Sequence, residues 1–133
     1  MKLTLTILIT LAVAGSALAA PKTATLTIRH EMHGCHSWSF DGKTWQARQS
    51  IVLSRGATLT VVDNDVMPHK LIQLSGPKAA TTHFAMTQMG AMALVRVPVK
   101  GTYVFTTRAG EDYMKGVKTT GYDNVLKLVV KVS

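Results

Sequence analysis

The stretch His30-Glu31-Met32-His33-Gly34-Cys35-His36 holds three of the chain's five histidines, its single cysteine and one of its seven methionines. Imidazole, thiolate and thioether are borderline or soft donors, suited to copper, with zinc as the rival metal. A further histidine, His69, follows the acidic turn cluster Asp63-Asn64-Asp65 and Met67-Pro68. Met86, Met89 and Met92 are spaced three apart with His83 upstream, and Glu111 and Met114 come later. Thioethers at that spacing could hold Cu(I) as a secondary site, or pack as a plain apolar turn. Structural zinc prefers paired thiolates in C-x-x-C spacing, and a lone cysteine makes zinc the weaker candidate.

The start of the chain reads as an export signal. Lys2 is the charged n-region, Leu3 to Val13 the apolar h-region, and Ala17-Leu18-Ala19 a small-x-small cleavage pattern. Cleavage is expected near Ala19 or Ala20, leaving 21–133 as one domain that is periplasmic or secreted. The apolar run is too short for a membrane span, and no cysteine follows it to carry a lipid. Fifteen Lys and Arg stand against seven Asp and Glu, which favours acidic partners or membrane surfaces. The cations are scattered, without an arginine-rich helix or an aromatic stacking motif, and a nucleic-acid partner is not expected. One cysteine cannot form an internal disulfide. Cys35 is therefore an inert buried thiol, an intermolecular link or a metal thiolate.

The rest of the sequence is a series of short strands. Thr25 to Arg29 alternates polar and apolar residues, the period of a half-buried strand. Gln49 to Leu53 and Ala57 to Val62 flank the turn Ser54-Arg55-Gly56, and His69 to Leu74 follows the acidic turn. Leu94 to Val97 and Thr102 to Thr107 read as a pair around Lys100-Gly101, and Asn124 to Val132 as a long last strand. Residues 77–92 read as a loop or short helix. About seven strands with turn signals predict an all-β fold, an antiparallel Greek-key β-sandwich.

Two segments resemble the cupredoxins. Gly56-Ala-Thr-Leu-Thr-Val-Val-Asp-Asn-Asp-Val-Met-Pro-His69 looks like the family segment that carries the first copper histidine, and His69 matches that position. Gly101-Thr-Tyr103-Val-Phe105-Thr-Thr107 looks like the strand that leads to the copper cysteine. Here that position is Thr107, no histidine follows His83, and only Met114 could match the axial methionine. The resemblance implies a cupredoxin-like sandwich and a mononuclear copper site whose missing thiolate and imidazole come from the first loop. The implied set is Cys35, His36, His69 and Met114, with His33 competing with His36 and with Glu111 and Met67 in reserve. His30 continues the Leu26, Ile28 face and reads as a partly buried strand histidine. Trp38, Phe40 and Trp45 read as aromatics that keep water off the first loop.

The expected function is an exported one-electron carrier, with a redox or copper-handling partner, acidic in surface, and a monomeric state. Copper storage, delivery or resistance without redox work is the alternative, and a metal-free binding module the third. No nucleophile elbow, phosphate loop or paired carboxylates suggest an enzyme.

Overall fold

The computed structural model describes residues 18–32, 35–109 and 125–133, with the side chain of Cys35 excepted. These residues form ten strands: β1 (Thr23–Glu31), β2 (Cys35–Ser39), β3 (Arg48–Leu53), β4 (Ala57–Asn64), β5 (His69–Ser75), β6 (Ala80–Thr82), β7 (Ala85–Met86), β8 (Met92–Val97), β9 (Gly101–Ala109) and β10 (Lys127–Val132). They pair as two five-stranded sheets, β2-β1-β4-β8-β6 and β3-β10-β9-β5-β7. The all-β sandwich expected from the strand pattern is what forms.

Period-two alternation explains which residues face inward. In β4, Ala57, Leu59, Val61 and Asp63 are buried while the residues between them are half-buried. In β8, Ala93, Val95 and Val97 are buried and Met92, Leu94 and Arg96 are exposed. Both sheets feed one core, in which Leu26, Ile28, Trp38, Leu59 and Val95 meet Tyr103, Phe105, Leu128 and Val130. The Tyr103 hydroxyl reaches into the β8–β9 link, donating to the Val99 carbonyl at 2.6 Å and accepting from its N–H at 3.2 Å.

Three details differ from the sequence reading. First, β1 runs parallel to β4 and β10 parallel to β3, so the sandwich is not purely antiparallel. A parallel neighbour needs a crossover, which β2 and β3 provide before β4 arrives beside β1. Second, β3 with β4, and β8 with β9, lie in opposite sheets; their short links cross the sandwich instead of closing hairpins. Third, the 77–92 region contains two short strands, β6 and β7, against β8 and β5, where a loop or short helix was expected. The proposed signal segment, up to residue 17, lies outside the described residues.

The opening stretch, read above as a loop, is a β-hairpin. β2 returns along β1 with His36 opposite His30 and Trp38 opposite Ile28. Trp38 anchors this hairpin, because it is fully buried and its indole N–H donates to the Ala47 carbonyl at 3.0 Å. Its backbone also exchanges two hydrogen bonds with Gln46, at 3.1 and 3.2 Å. Trp38→Ala is expected to cost about 3–5 kcal/mol through loss of burial and the cavity left behind. Urea denaturation checks this, and a loss below about 1 kcal/mol would contradict Trp38 as the anchor.

Candidate metal site

Four side chains converge at one end of the sandwich. His30 is the second-last residue of β1 and His36 the second of β2, in one sheet; His69 opens β5, in the other. Asp65 comes from the 65–68 link that carries the chain from one sheet to the other. Pro68 fits this link, since it biases the residue before it to extended backbone and so favours strand entry at His69.

Asp65 is the hub. Its Oδ2 lies 2.6 Å from His36 Nδ1 and 2.9 Å from His69 Nε2. Its Oδ1 accepts the Met67 N–H at 3.1 Å and faces His30 Nδ1 at 3.5 Å. His36, His69 and Asp65 are buried, while the His30 side chain is 45 % exposed. The rings of His36 and His69 meet edge to face, with centroids 4.6 Å apart. The second His69 nitrogen, Nδ1, is 3.1 Å from Thr107 Oγ1. Both sheets therefore hold the His69 ring, one through Asp65 and one through Thr107.

The electrostatics follow from burial. Burial pushes the Asp65 carboxyl up, but hydrogen bonds from His69, the Met67 N–H and His36 outweigh it and hold the group below its ordinary value. Burial pushes His69 down; Asp65 opposes that shift without cancelling it, and the nearby His36 adds to it. A neutral imidazole is what a metal ligand requires. His36 Nδ1–H and His69 Nε2–H donate to the Asp65 carboxylate, and the Thr107 hydroxyl donates to His69 Nδ1.

The donor set suits a metal in type and burial. Two buried imidazoles and a buried carboxylate, with a third imidazole at the open edge, are borderline nitrogen and hard oxygen donors suited to Cu(II) or Zn(II). His30, His36 and Asp65 offer ligand atoms that all lie within 4.8 Å of one another. A bound ion would replace the protons now shared between Asp65 and the imidazoles. If His69 then bonded through Nε2, its proton would move to Nδ1 and Thr107 would turn from donor to acceptor.

The sequence-derived candidates are distributed as follows. The structure brings His36 and His69 together. Cys35 heads β2 with Glu31 as its register partner; its side chain lies outside the described residues. His33, Glu111 and Met114 also lie outside them. Met67 is buried in the link beside Asp65. The methionine series does not share one environment, because Met86 is fully buried opposite His69 while Met89 and Met92 are exposed. His30, read from sequence as a partly buried strand residue, stands at the edge of the cluster. Asp65, read as a turn residue, is its centre. The one sequence signal that pointed to Asp65 is its place four residues before His69, on the same short link.

No family model and no curated protein matches this chain. Solved structures similar to it include a purple cupredoxin from Nitrosopumilus maritimus, at 17% identity and TM-score 0.47, covering 83% of this chain and 99% of that one. A cysteine protease inhibitor from Entamoeba histolytica is similar at 9% identity and TM-score 0.39, covering 85% and 99%. A multicopper oxidase from Campylobacter jejuni is similar at 10% identity and TM-score 0.38, covering 98% of this chain and 34% of that one. Function has to be read from the site, because a fold alone does not imply one. The class defined here is a two-sheet β-sandwich with a buried His–Asp–His cluster at one end.

Beside the cluster, Asp63 is buried with its Oδ2 lacking any partner among the described residues. Burial pushes its carboxyl up to about 6; the Asp65 charge adds to the rise, and the Asp65 and His69 N–H groups oppose it. Between about pH 4 and 6 the folded chain keeps a proton that the unfolded chain has lost, so this group's contribution to stability falls as pH rises through that window. In the metal-free protein, Asp63→Asn should therefore gain stability over the parent from pH 4 to about 6.5 and stay level above that. Denaturation midpoints across that range test it. A pH-independent difference would contradict the buried-charge account.

Proposed function

We propose that this is an exported copper-binding protein of cupredoxin type, which holds Cu(II) through His36, His69 and Asp65, with His30 at the solvent edge. One observation carries the reading: two buried imidazoles converge on one buried carboxylate where the two sheets meet. Zinc would accept the same donors, and for a given nitrogen and oxygen set copper binds more tightly. Copper supplies an ion that such donors hold in its oxidised form, in keeping with storage, delivery or resistance. The chain's own part is to keep the imidazoles neutral, to orient His69 from two sides and to limit water on the buried side. The export signal and the domain 21–133 belong to this proposal, as does a non-enzymatic role.

One-electron transfer is the second reading, favoured by the position of Cys35 directly before His36 at the head of β2. It needs the thiolate in the copper shell, where a soft sulfur donor stabilises Cu(I) alongside Cu(II). Met114 would be its axial donor.

Copper titration followed by visible and spin-resonance spectra tests both readings. For the nitrogen and oxygen site, Cu(II) binds with weak colour, and Cys35→Ala leaves the spectra unchanged. Intense charge-transfer colour that Cys35→Ala abolishes selects the electron carrier instead. His69→Ala and Asp65→Asn should each weaken Cu(II) binding at least about 100-fold, and Thr107→Val, which only frees the His69 ring, about 10-fold. Unchanged affinity in His69→Ala and Asp65→Asn would remove the site.

A further inference from the structure

The sheet β3-β10-β9-β5-β7 presents a second feature, on its outer face and away from the histidine cluster. Alternation turns Arg48, Ser50 and Val52 of β3 outward, with Lys127, Val129 and Lys131 of β10, Thr106 and Arg108 of β9, and Lys70 and Ile72 of β5. Register ties them into one surface. Lys127 pairs with both Arg48 and Thr106, Thr106 with Ile72, and Arg108 with Lys70. Five cations thus share one face. No strand of this sheet contains an Asp or Glu. Among the described residues none of the five cations lies in an ion pair, whereas Arg29 on the other sheet pairs with Glu31 at 2.7 Å. All four described carboxylates, Glu31, Asp41, Asp63 and Asp65, belong to the other sheet or to its connections.

The cations are spread, not clustered. Neighbouring strands lie about 4.8 Å apart and each residue advances about 3.3 Å. Arg48 and Lys127 are therefore adjacent, Lys131 lies roughly 13 Å along the same strand, and the Lys70–Arg108 pair sits on the far strands. A cleft of about 300 Å³ opens between β3 and β10, lined by Gln46, Arg48, Gln49, Ser50, Lys127 and Val129. It sets hydrogen-bond donors beside the Arg48–Lys127 pair. Between the charges lie Thr106, Val129 and Ile72, half-buried, and the exposed Ser50 and Val52.

We propose that this face docks the acidic surface of a partner protein, with Arg48 and Lys127 at the centre of the contact. Charge complementarity selects the partner. Five like charges on one face, with no ion pair among the described residues, raise the local concentration of an acidic surface and steer its approach. Rigidity and composition favour a protein over a lipid surface. The charges are fixed on a sheet, and its exposed Leu74 and Phe84 lie on β5 and beside β7, across the sheet from the Arg48–Lys127 pair on β3 and β10, so the centre of the face carries no Trp, Phe or Leu anchor for a bilayer. The inference is independent of the metal, since alternation turns these side chains to the face of the sheet opposite His69 and Thr107.

Poly-L-glutamate serves as the acidic polypeptide probe, measured by titration at low and at physiological salt on the full mature chain. Arg48→Glu with Lys127→Glu should weaken binding about 10-fold or more at low salt and reduce its salt dependence. Arg96→Glu with Lys43→Glu makes the same change of net charge on the other side of the sandwich, and should weaken binding less than about 2-fold. Equal losses in the two variants would overturn the proposal, because net charge alone would then explain binding. Vesicles containing phosphatidylglycerol form the lipid arm: binding to them through Arg48 and Lys127, with no binding to polyglutamate, would overturn it in favour of a membrane surface. Copper titration and a thermal melt of the Arg48/Lys127 variant, both unchanged from the parent, establish that it is folded.

Discussion

A carboxylate with no exposed surface, shared by two buried imidazoles, is the constraint around which this end of the protein is organised. Burying Asp65 without partners would cost far more than a small domain could offset. The cost is met locally: His36 and His69 donate to one oxygen, and the Met67 N–H donates to the other. Because His36 belongs to one sheet and His69 to the other, satisfying Asp65 also fixes how the two sheets meet. The pair of hydrogen bonds that neutralises the charge is thus a tertiary clasp.

That clasp explains why the neighbouring residues are what they are. Trp38 holds the β1–β2 hairpin against the core, so that His36, two residues earlier on the same row, is presented inward. Thr107 sits on β9 opposite Leu71 and reaches the far nitrogen of His69, fixing the ring from the side that Asp65 does not touch. The carboxylate of the cluster, Asp65, comes from the link before His69.

Asp63 shows the cost of building such a site. It lies two residues before Asp65 with a free oxygen and a raised pKa, a second buried carboxyl next to one that is already charged. Its Oδ1 accepts the Asp65 N–H at 3.0 Å, which shapes the link that aims Asp65 at the histidines. The strain of one carboxyl thus supports the position of the other. The basic outer face of the second sheet lies apart from this arrangement, and the two features divide the molecule into a buried polar end and a charged side.

The sequence by itself determined the class of fold, most of the strands and the importance of His69, because period-two alternation and turn residues are local and survive in one dimension. It also marked 30–36 as unusual, since donor residues rarely crowd so closely. It did not determine that this stretch is a hairpin, because Gly34 and the polar residues around it look like a loop until Trp38 is seen buried against the core. Nor did it single out Asp65, whose Asp-Asn-Asp neighbourhood has the composition of an ordinary exposed turn. Whether an aspartate is solvated or becomes the centre of a site depends on what packs over it. Only the tertiary structure decides that, by bringing β2 of one sheet and β5 of the other, thirty-three residues apart at His36 and His69, onto the same oxygen.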